Sequence, residues 1–183
     1  MTATSRNNYF WRNLINFLNL SKNRFSARKY LDKEIPQNVL DEIIEAGRVA
    51  PTAANLQPAR IIVIKSAEAK EKLAKAANIY KAPVALLVCA DASKAWKRPF
   101  DGHQTIDIDA SIVTDHMMLS AADNGIGSVW ICYFKPDVIK EEFNLPDNLV
   151  PVNILALGYT EETTDSNRHE TARIPMDELV YYL

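Results

Sequence analysis

A mixed β-sheet covered by helices is the fold this sequence predicts, on three observations. Four short runs rich in β-branched residues alternate with stretches of helical period. No repeat, low-complexity tract or linker breaks the chain. Its 183 residues suit one compact domain, large enough to bury a core without disulfide staples. A single domain over residues 1–183 is therefore expected, beginning with an amphipathic helical segment within 1–20.

The elements follow in order. Phe10, Trp11, Leu14, Ile15, Phe17 and Leu18 have the spacing of an amphipathic helix over 10–20. Pro36, at a first helical position, opens a second helix. Val39, Ile43, Ala46 and Ala50 form one side of it, with Leu40, Ile44 and Gly47 beside them, and Pro51 ends it. Residues 60–64 read as a buried strand because Ile61-Ile62-Val63-Ile64 is β-branched throughout. Residues 68–77 read as a short helix and 83–90 as a second buried strand. The stretch 92–104, with Trp96, Pro99, Phe100 and Gly102, is irregular and suits a mobile lid.

Residues 106–124 carry the longest helical pattern, with Ala110, Val113, Met117 and Ala121 as its stripe and Gly125 placed to cap it. A third strand is expected over 128–133, a short helix over 136–143 opened by Pro136, and a fourth strand over 152–157. The chain then turns polar and closes with Ile174-Pro175 and a short amphipathic helix through Leu183. Interleaved strands and helices of this kind pack as layers.

Charge and cysteine content exclude several classes. Lys plus Arg number 21 against 23 for Asp plus Glu, which argues against a nucleic-acid protein driven by net charge. Cys89 and Cys132 lie far apart with no CxxC, so structural zinc and a disulfide scaffold have poor support. No apolar run approaches the ~20 residues needed to span a bilayer. Without a signal-like N-terminal region, a soluble cytoplasmic setting with no membrane partner is expected. There is neither a GxGxxG after a strand nor a GxxxxGK[ST], which disfavours a Rossmann site and a P-loop.

Two clusters carry chemistry. In Asn23-Arg24-Phe25-Ser26-Ala27-Arg28-Lys29-Tyr30, an extended backbone would project Arg24, Ser26 and Arg28 from one side. Two planar guanidinium groups and a hydroxyl make a fork for a phosphate. On a helix Ser26 would point away, and the same residues also suit a solvated basic strip. The second cluster is Pro51-Thr52-Ala53-Ala54-Asn55-Leu56-Gln57-Pro58. Its small side chains let a backbone approach a flat ligand, and Asn55 and Gln57 offer donors and acceptors to a heterocycle edge. A capped helix end followed by a turn is the simpler reading of the same residues.

The order of these motifs resembles the nitroreductase family of FMN-dependent oxidoreductases. The likeness runs from Arg-x-Ser-x-Arg through a Pro-initiated helix to Ala50-Pro51-Thr52-Ala53-Ala54-Asn55-Leu56-Gln57-Pro58 before a β-branched strand. It continues in Ala121-Ala122-Asp123-Asn124-Gly125-Ile126-Gly127-Ser128 with Val129 to Phe134, in Leu155-Ala156-Leu157-Gly158-Tyr159, and in Arg173-Ile174-Pro175. The resemblance implies an α+β fold with a mixed, mostly antiparallel central sheet flanked by helices. It also implies a homodimer with shared flavin sites and a C-terminal extension over 159–183 that reaches the partner.

Carried over residue by residue, Arg24, Ser26 and Arg28 match positions that hold the FMN phosphate and ribityl chain, with Phe25 and Ala27 lining the segment. Pro51, Thr52 and Ala53 match a loop that touches the isoalloxazine ring, usually from the other subunit. Asn55 and Gln57 belong to that loop, Gln57 as a ligand or a brace. Trp130, Ile131, Cys132 and Tyr133 match the strand whose backbone passes the flavin N5 region, and Arg173 adds a cation for the phosphate. Bulky Tyr133 must turn from the ring or close part of the pocket. Thr171 stands where some relatives have a second basic residue, for which Arg168 or His169 would compensate.

The implied activity is ping-pong hydride transfer from NADH or NADPH through flavin N5 to a small-molecule acceptor, a nitroaromatic or a quinone. No catalytic side chain and no metal are expected. Reductive dehalogenation, oxidative flavin breakdown and non-catalytic flavin binding are the alternatives. Cys132 reads as a packed strand thiol or a flavin contact, Cys89 as core, and His116 as an interface or core residue.

Overall fold

Val84–Asp91 is apolar at almost every position because both of its faces are covered, and all 8 residues are buried. The protein is described by a computed structural model over residues 16–183. These residues form two compact units, 25–162 and 16–24 with 163–183.

The larger unit is built on a 4-stranded sheet of β1 (Ala59–Ile64), β2 (Val84–Asp91), β3 (Gly127–Ile131) and β4 (Leu149–Gly158). The strands pair antiparallel in the order β1-β2-β4-β3. One isolated parallel bridge, from Ser26 to Ser128, sets the basic segment beside the free edge of β3, while the sheet itself is wholly antiparallel rather than mixed. Side chains alternate between two cores. Val84, Leu86, Val88, Leu155 and Leu157 face one, and Ala85, Leu87, Cys89, Ile154 and Ala156 face the other.

α2 (Gln37–Arg48) and α4 (Ile106–Asp123) cover the first face. The stripe Ala110, Val113, Met117 and Ala121 is buried as its spacing predicts. On α2 the buried line runs Leu40, Ile43 and Gly47, one step round from the expected Val39-Ile43-Ala46-Ala50 side, and Ala50 is buried two residues past the helix end. Gly47 explains the rotation: a Cβ there would lie 2.8 Å from Met117 Cγ, so the helices touch where α2 has no side chain. Gly125 ends α4 at φ 69°, with Ile126 N–H donating to Ala121 O at 2.8 Å. α3 (Ala67–Ala74) and α5 (Pro136–Glu142) cover the second face through Leu73 and Ile139.

Several boundaries differ from the sequence pattern. Pro36 is the N-cap of α2 rather than its first helical residue. α3 stops at Ala74, three residues early, where the chain enters a turn ending at Lys81. β4 starts at Leu149 instead of Val152: the pairing with β2 shifts between Val88 and Cys89, which leaves Val152 as the extra residue on β4 and pairs Pro151 with Cys89. β3 ends at Ile131, paired to Ile154, so Cys132 and Tyr133 lie past the ladder.

In the smaller unit, α1 covers Phe17–Asn23, and the expected helical residues 10–15 lie outside the described residues. α6 (His169–Ala172) precedes α7 (Met176–Leu179), which stops short of Leu183. Arg168 donates to Lys22 O at 2.9 Å and Arg24 O at 2.6 Å, satisfying carbonyls at the end of α1. His169 Nε2 lies 3.1 Å from Lys22 O. Both basic residues are thus engaged by backbone within this unit. No described helix is long and apolar enough to cross a membrane.

Candidate functional site

The alternation expected of the basic segment is only partly present, since Phe25 is half-buried like Ser26 and Lys29 is exposed like Arg28. Ala27 is fully buried, Ser26 is half-buried and Arg28 is exposed. The backbone anchors it: Ala27 N–H donates to Ser128 O at 2.9 Å, and Leu31 N–H to Tyr159 O at 2.8 Å. Tyr30 Oη donates to Ala27 O at 2.8 Å and faces Ala156 O at 3.3 Å. Burial first, and Glu162 second, push the Tyr30 phenol well above its ordinary range, so it stays a donor. Gly127 lets the segment approach β3, since a Cβ there would lie 3.1 Å from the Ala27 Cβ.

Sequence reasoning missed the carboxylate that closes this segment. Glu162 Oε2 accepts the N–H of Arg28 at 2.7 Å and of Lys29 at 2.9 Å. These two amides are therefore not available to a ligand. Within the described residues no protein group bonds the Ser26 hydroxyl. Arg28 spends one of its donors, Nη1 to Ser26 O at 3.1 Å, and its guanidinium carbon lies 5.8 Å from the centroid of the Tyr80 ring.

The bonds from the Arg28 and Lys29 amides hold the Glu162 carboxyl below its usual range. A depressed folded value means that this clamp is complete above about pH 4.3, the unfolded value, and is lost as the pH falls through the folded value beneath it. The amide resonances of Arg28 and Lys29 will titrate below about pH 4.3. Glu162→Gln will abolish that titration; its persistence would assign the transition to another group.

The loop 51–57 is strained and held from below. Ala54, Asn55 and Gln57 have φ of 50°, 56° and 51°, and only the asparagine suits the left-handed region. Thr52 Oγ1 accepts Gln57 N–H at 3.0 Å, and Gln57 Nε2 donates to Asn55 O at 3.1 Å, which is the brace. Beneath the loop, Asp109 is fully buried in the first turn of α4. Its Oδ1 accepts Ala53 N–H at 2.8 Å and its Oδ2 accepts Thr105 Oγ1–H at 2.8 Å. Pro51, Ala54, Asn55 and Gln57 are exposed. The loop borders a groove of about 650 Å³ lined by Ile44, Gly47, Thr52, Gln57 and Arg60 among others.

The structure does not bring the two clusters together within one chain. The loop leads into β1, and the basic segment flanks β3 at the opposite edge of the sheet. At ~4.8 Å per strand they are about 19 Å apart across the sheet. The loop is tied to Asp109 near the start of α4, and Ser128 follows the far end; at ~1.5 Å per residue that adds about 21 Å along the helix.

Of the residues past the segment, Trp130 Nε1 donates to Asn153 Oδ1 at 2.8 Å, and Ile131 is buried on the other face. Cys132 is exposed, its thiol 3.5 Å from Asn153 Oδ1. Tyr133 is 95% exposed at the mouth of a cavity of about 250 Å³ shared with Asn78, Tyr80 and Lys135. Cys89 is core, its thiol pushed up to about 12 by burial. His116 sits half-buried on α4, its Nδ1 2.9 Å from Ile112 O. Arg24 and Arg173 belong to the smaller unit, where Arg173 is exposed and donates to Ala172 O at 3.0 Å.

A helix-flanked antiparallel sheet with a basic segment along its free edge defines a protein of the α+β class. The model of the nitroreductase family matches residues 21–79 and 75–159. A nitroreductase family protein of Clostridium difficile 630 is 53% identical in sequence, with a TM-score of 0.90 over 92% of this chain and 98% of that one. A Methanothermobacter thermautotrophicus protein with the provisional name NADH dehydrogenase/NAD(P)H nitroreductase is 33% identical over 77% of this chain and 75% of its own. An Exiguobacterium sibiricum protein assigned as a nitroreductase, solved in complex with FMN, is 22% identical with a TM-score of 0.79 over 93% and 98% of the two chains, a likeness of fold. The chain belongs to the nitroreductase family.

Proposed function

We propose that the chain is an FMN-dependent NAD(P)H oxidoreductase acting as a homodimer, with each flavin held by the basic segment of one copy and the 51–57 loop of the other. The observation that carries the reading is the segment itself: Arg28 is exposed and no described protein group bonds the Ser26 hydroxyl, on either side of the buried Ala27. The donor set fits a phosphomonoester, which carries about −1.5 to −2 charges at neutral pH. Ser26 and Arg28 would hold that phosphate, with Phe25 and Ala27 lining the segment, and Arg24 and Arg173 are the further cations that the family resemblance implies. Pro51, Thr52, Ala53, Asn55 and Gln57 would border the ring system, and the backbone of Trp130, Ile131, Cys132 and Tyr133 would pass its edge.

When bound, FMN supplies the hydride chemistry between a nicotinamide and an acceptor. The side chains then need only bind, orient and shield, so no catalytic acid, base or nucleophile is assigned. One pocket serves donor and acceptor in turn, giving ping-pong kinetics with nitroaromatic or quinone acceptors. The separation of the two clusters to opposite edges of the sheet supports a shared site. So do the exposed Ile174, Met176, Leu179 and Tyr181 of the C-terminal extension, which suit burial on a second copy. The cytoplasm, where thiols stay reduced, suits the free cysteines Cys89 and Cys132.

Titration with FMN under anaerobic conditions tests the reading. The protein will bind the flavin, and NADH or NADPH will bleach its visible bands. A flavin that stays oxidised with both nucleotides would make the protein a binder without turnover. A monomeric mass by light scattering with FMN bound would overturn the shared site.

A further inference from the structure

Tyr80 is unusual in three respects. Its backbone is left-handed at φ 55°, and Lys81 follows at φ 58°. Two successive non-glycine residues in that region persist only where their surroundings over-determine them. The turn is closed by its own bonds: Asn78 Oδ1 accepts Tyr80 N–H at 2.8 Å, and Ala82 N–H donates to Ile79 O at 3.0 Å. The ring that this turn delivers packs on the second core and lies 5.8 Å from the Arg28 guanidinium carbon.

We propose that Tyr80 is a positioning residue for the phosphate grip: its ring orients the Arg28 guanidinium toward the ligand. The inference rests on the assignment of Arg28 to the FMN phosphate. An exposed arginine spreads over many rotamers and must be ordered when it binds. Two restraints limit that freedom here. Ser26 O holds Nη1 at 3.1 Å, and the π face of Tyr80 attracts the cationic plane. The remaining donors stay available for a bidentate contact with a phosphate. The sequence hides this role, because Tyr80 lies more than fifty residues from Arg28 in an undistinguished Asn-Ile-Tyr-Lys turn.

The test compares FMN with riboflavin, which lacks the phosphate, by fluorescence titration of wild type, Tyr80→Leu, Tyr80→Phe and Arg28→Ala. Leucine keeps bulk and similar backbone strain but has no π face. Tyr80→Leu will weaken FMN binding about 3- to 30-fold while leaving riboflavin binding unchanged, and Tyr80→Phe will restore it. The phosphorus resonance of bound FMN will shift in Tyr80→Leu and return to its wild-type position in Tyr80→Phe. Equal losses for both ligands, or no loss and an unmoved resonance, would overturn the positioning role. If Arg28→Ala fails to distinguish FMN from riboflavin, the phosphate assignment itself falls, whatever Tyr80 does.

Discussion

Replacing Arg24 and Arg28 together by alanine will weaken FMN binding by about two to four powers of ten. Each charge-assisted hydrogen bond to a phosphate contributes about 1.5–3 kcal/mol. Two of them give about 3–6 kcal/mol, and ~1.4 kcal/mol is a factor of ten. The backbone anchors of this segment survive the change, because alanine keeps them. Ala27 N–H still donates to Ser128 O, the residue-28 amide still donates to Glu162, and the residue-24 carbonyl still accepts from Arg168. Fluorescence titration with FMN, beside thermal melts of the ligand-free protein, reads both halves of the expectation. Wild-type affinity in the double variant would remove the phosphate from this edge, and a collapsed melt would show that the arginines serve the fold instead.

The legible parts of this chain are the periodic ones. Ile61 to Ile64 and Val84 to Cys89 announce strands by composition, and Ala110-Val113-Met117-Ala121 announces a helix by spacing. The buried Ala27 between Ser26 and the exposed Arg28 fits the two-residue period of an extended backbone, while the exposed Lys29 departs from it. The illegible parts are contacts made at long range by single residues. Glu162 closes on an amide 134 positions earlier, and Asp109 holds one 56 positions earlier. Neither belongs to a spacing rule, since each is one acidic residue among 23.

Backbone strain is equally silent in the sequence. Ala54, Gln57, Tyr80 and Lys81 occupy a conformation that local preference assigns to Gly or Asn. Among the described residues, the non-glycine residues with positive φ are these four, Asn55 and Asn144, so five of the six fall in the loop or in the turn beneath Arg28. Strain gathers where surrounding contacts can hold it. For the loop, that holding contact is Asp109.

Asp109→Ala will destabilise the protein by about 1–3 kcal/mol, the cost of leaving the part-buried Ala53 N–H without its acceptor and Thr105 Oγ1–H with only Trp96 O at 3.4 Å, less the relief of a buried charge. For a chain of this size that lowers the melting temperature by about 2–12 °C. The variant will also loosen the loop, since Ala53 N–H to Asp109 is its side-chain tie to α4. FMN affinity will fall with it, even though Asp109 is too deep to touch a ligand.

Asp109→Asn separates the two consequences. Its amide oxygen can still accept from Ala53 N–H, and Thr105 can turn its hydroxyl to accept from the amide nitrogen. What it loses is the negative charge at the N-terminal turn of α4, about 0.3–1 kcal/mol. Thermal melts and FMN titrations of the two variants will therefore rank wild type, Asp109→Asn and Asp109→Ala in descending order. An asparagine variant as weak as the alanine one would mean that charge, rather than hydrogen bonding, fixes the loop. An alanine variant that melts with the wild type would mean that the loop holds its left-handed residues without help from α4.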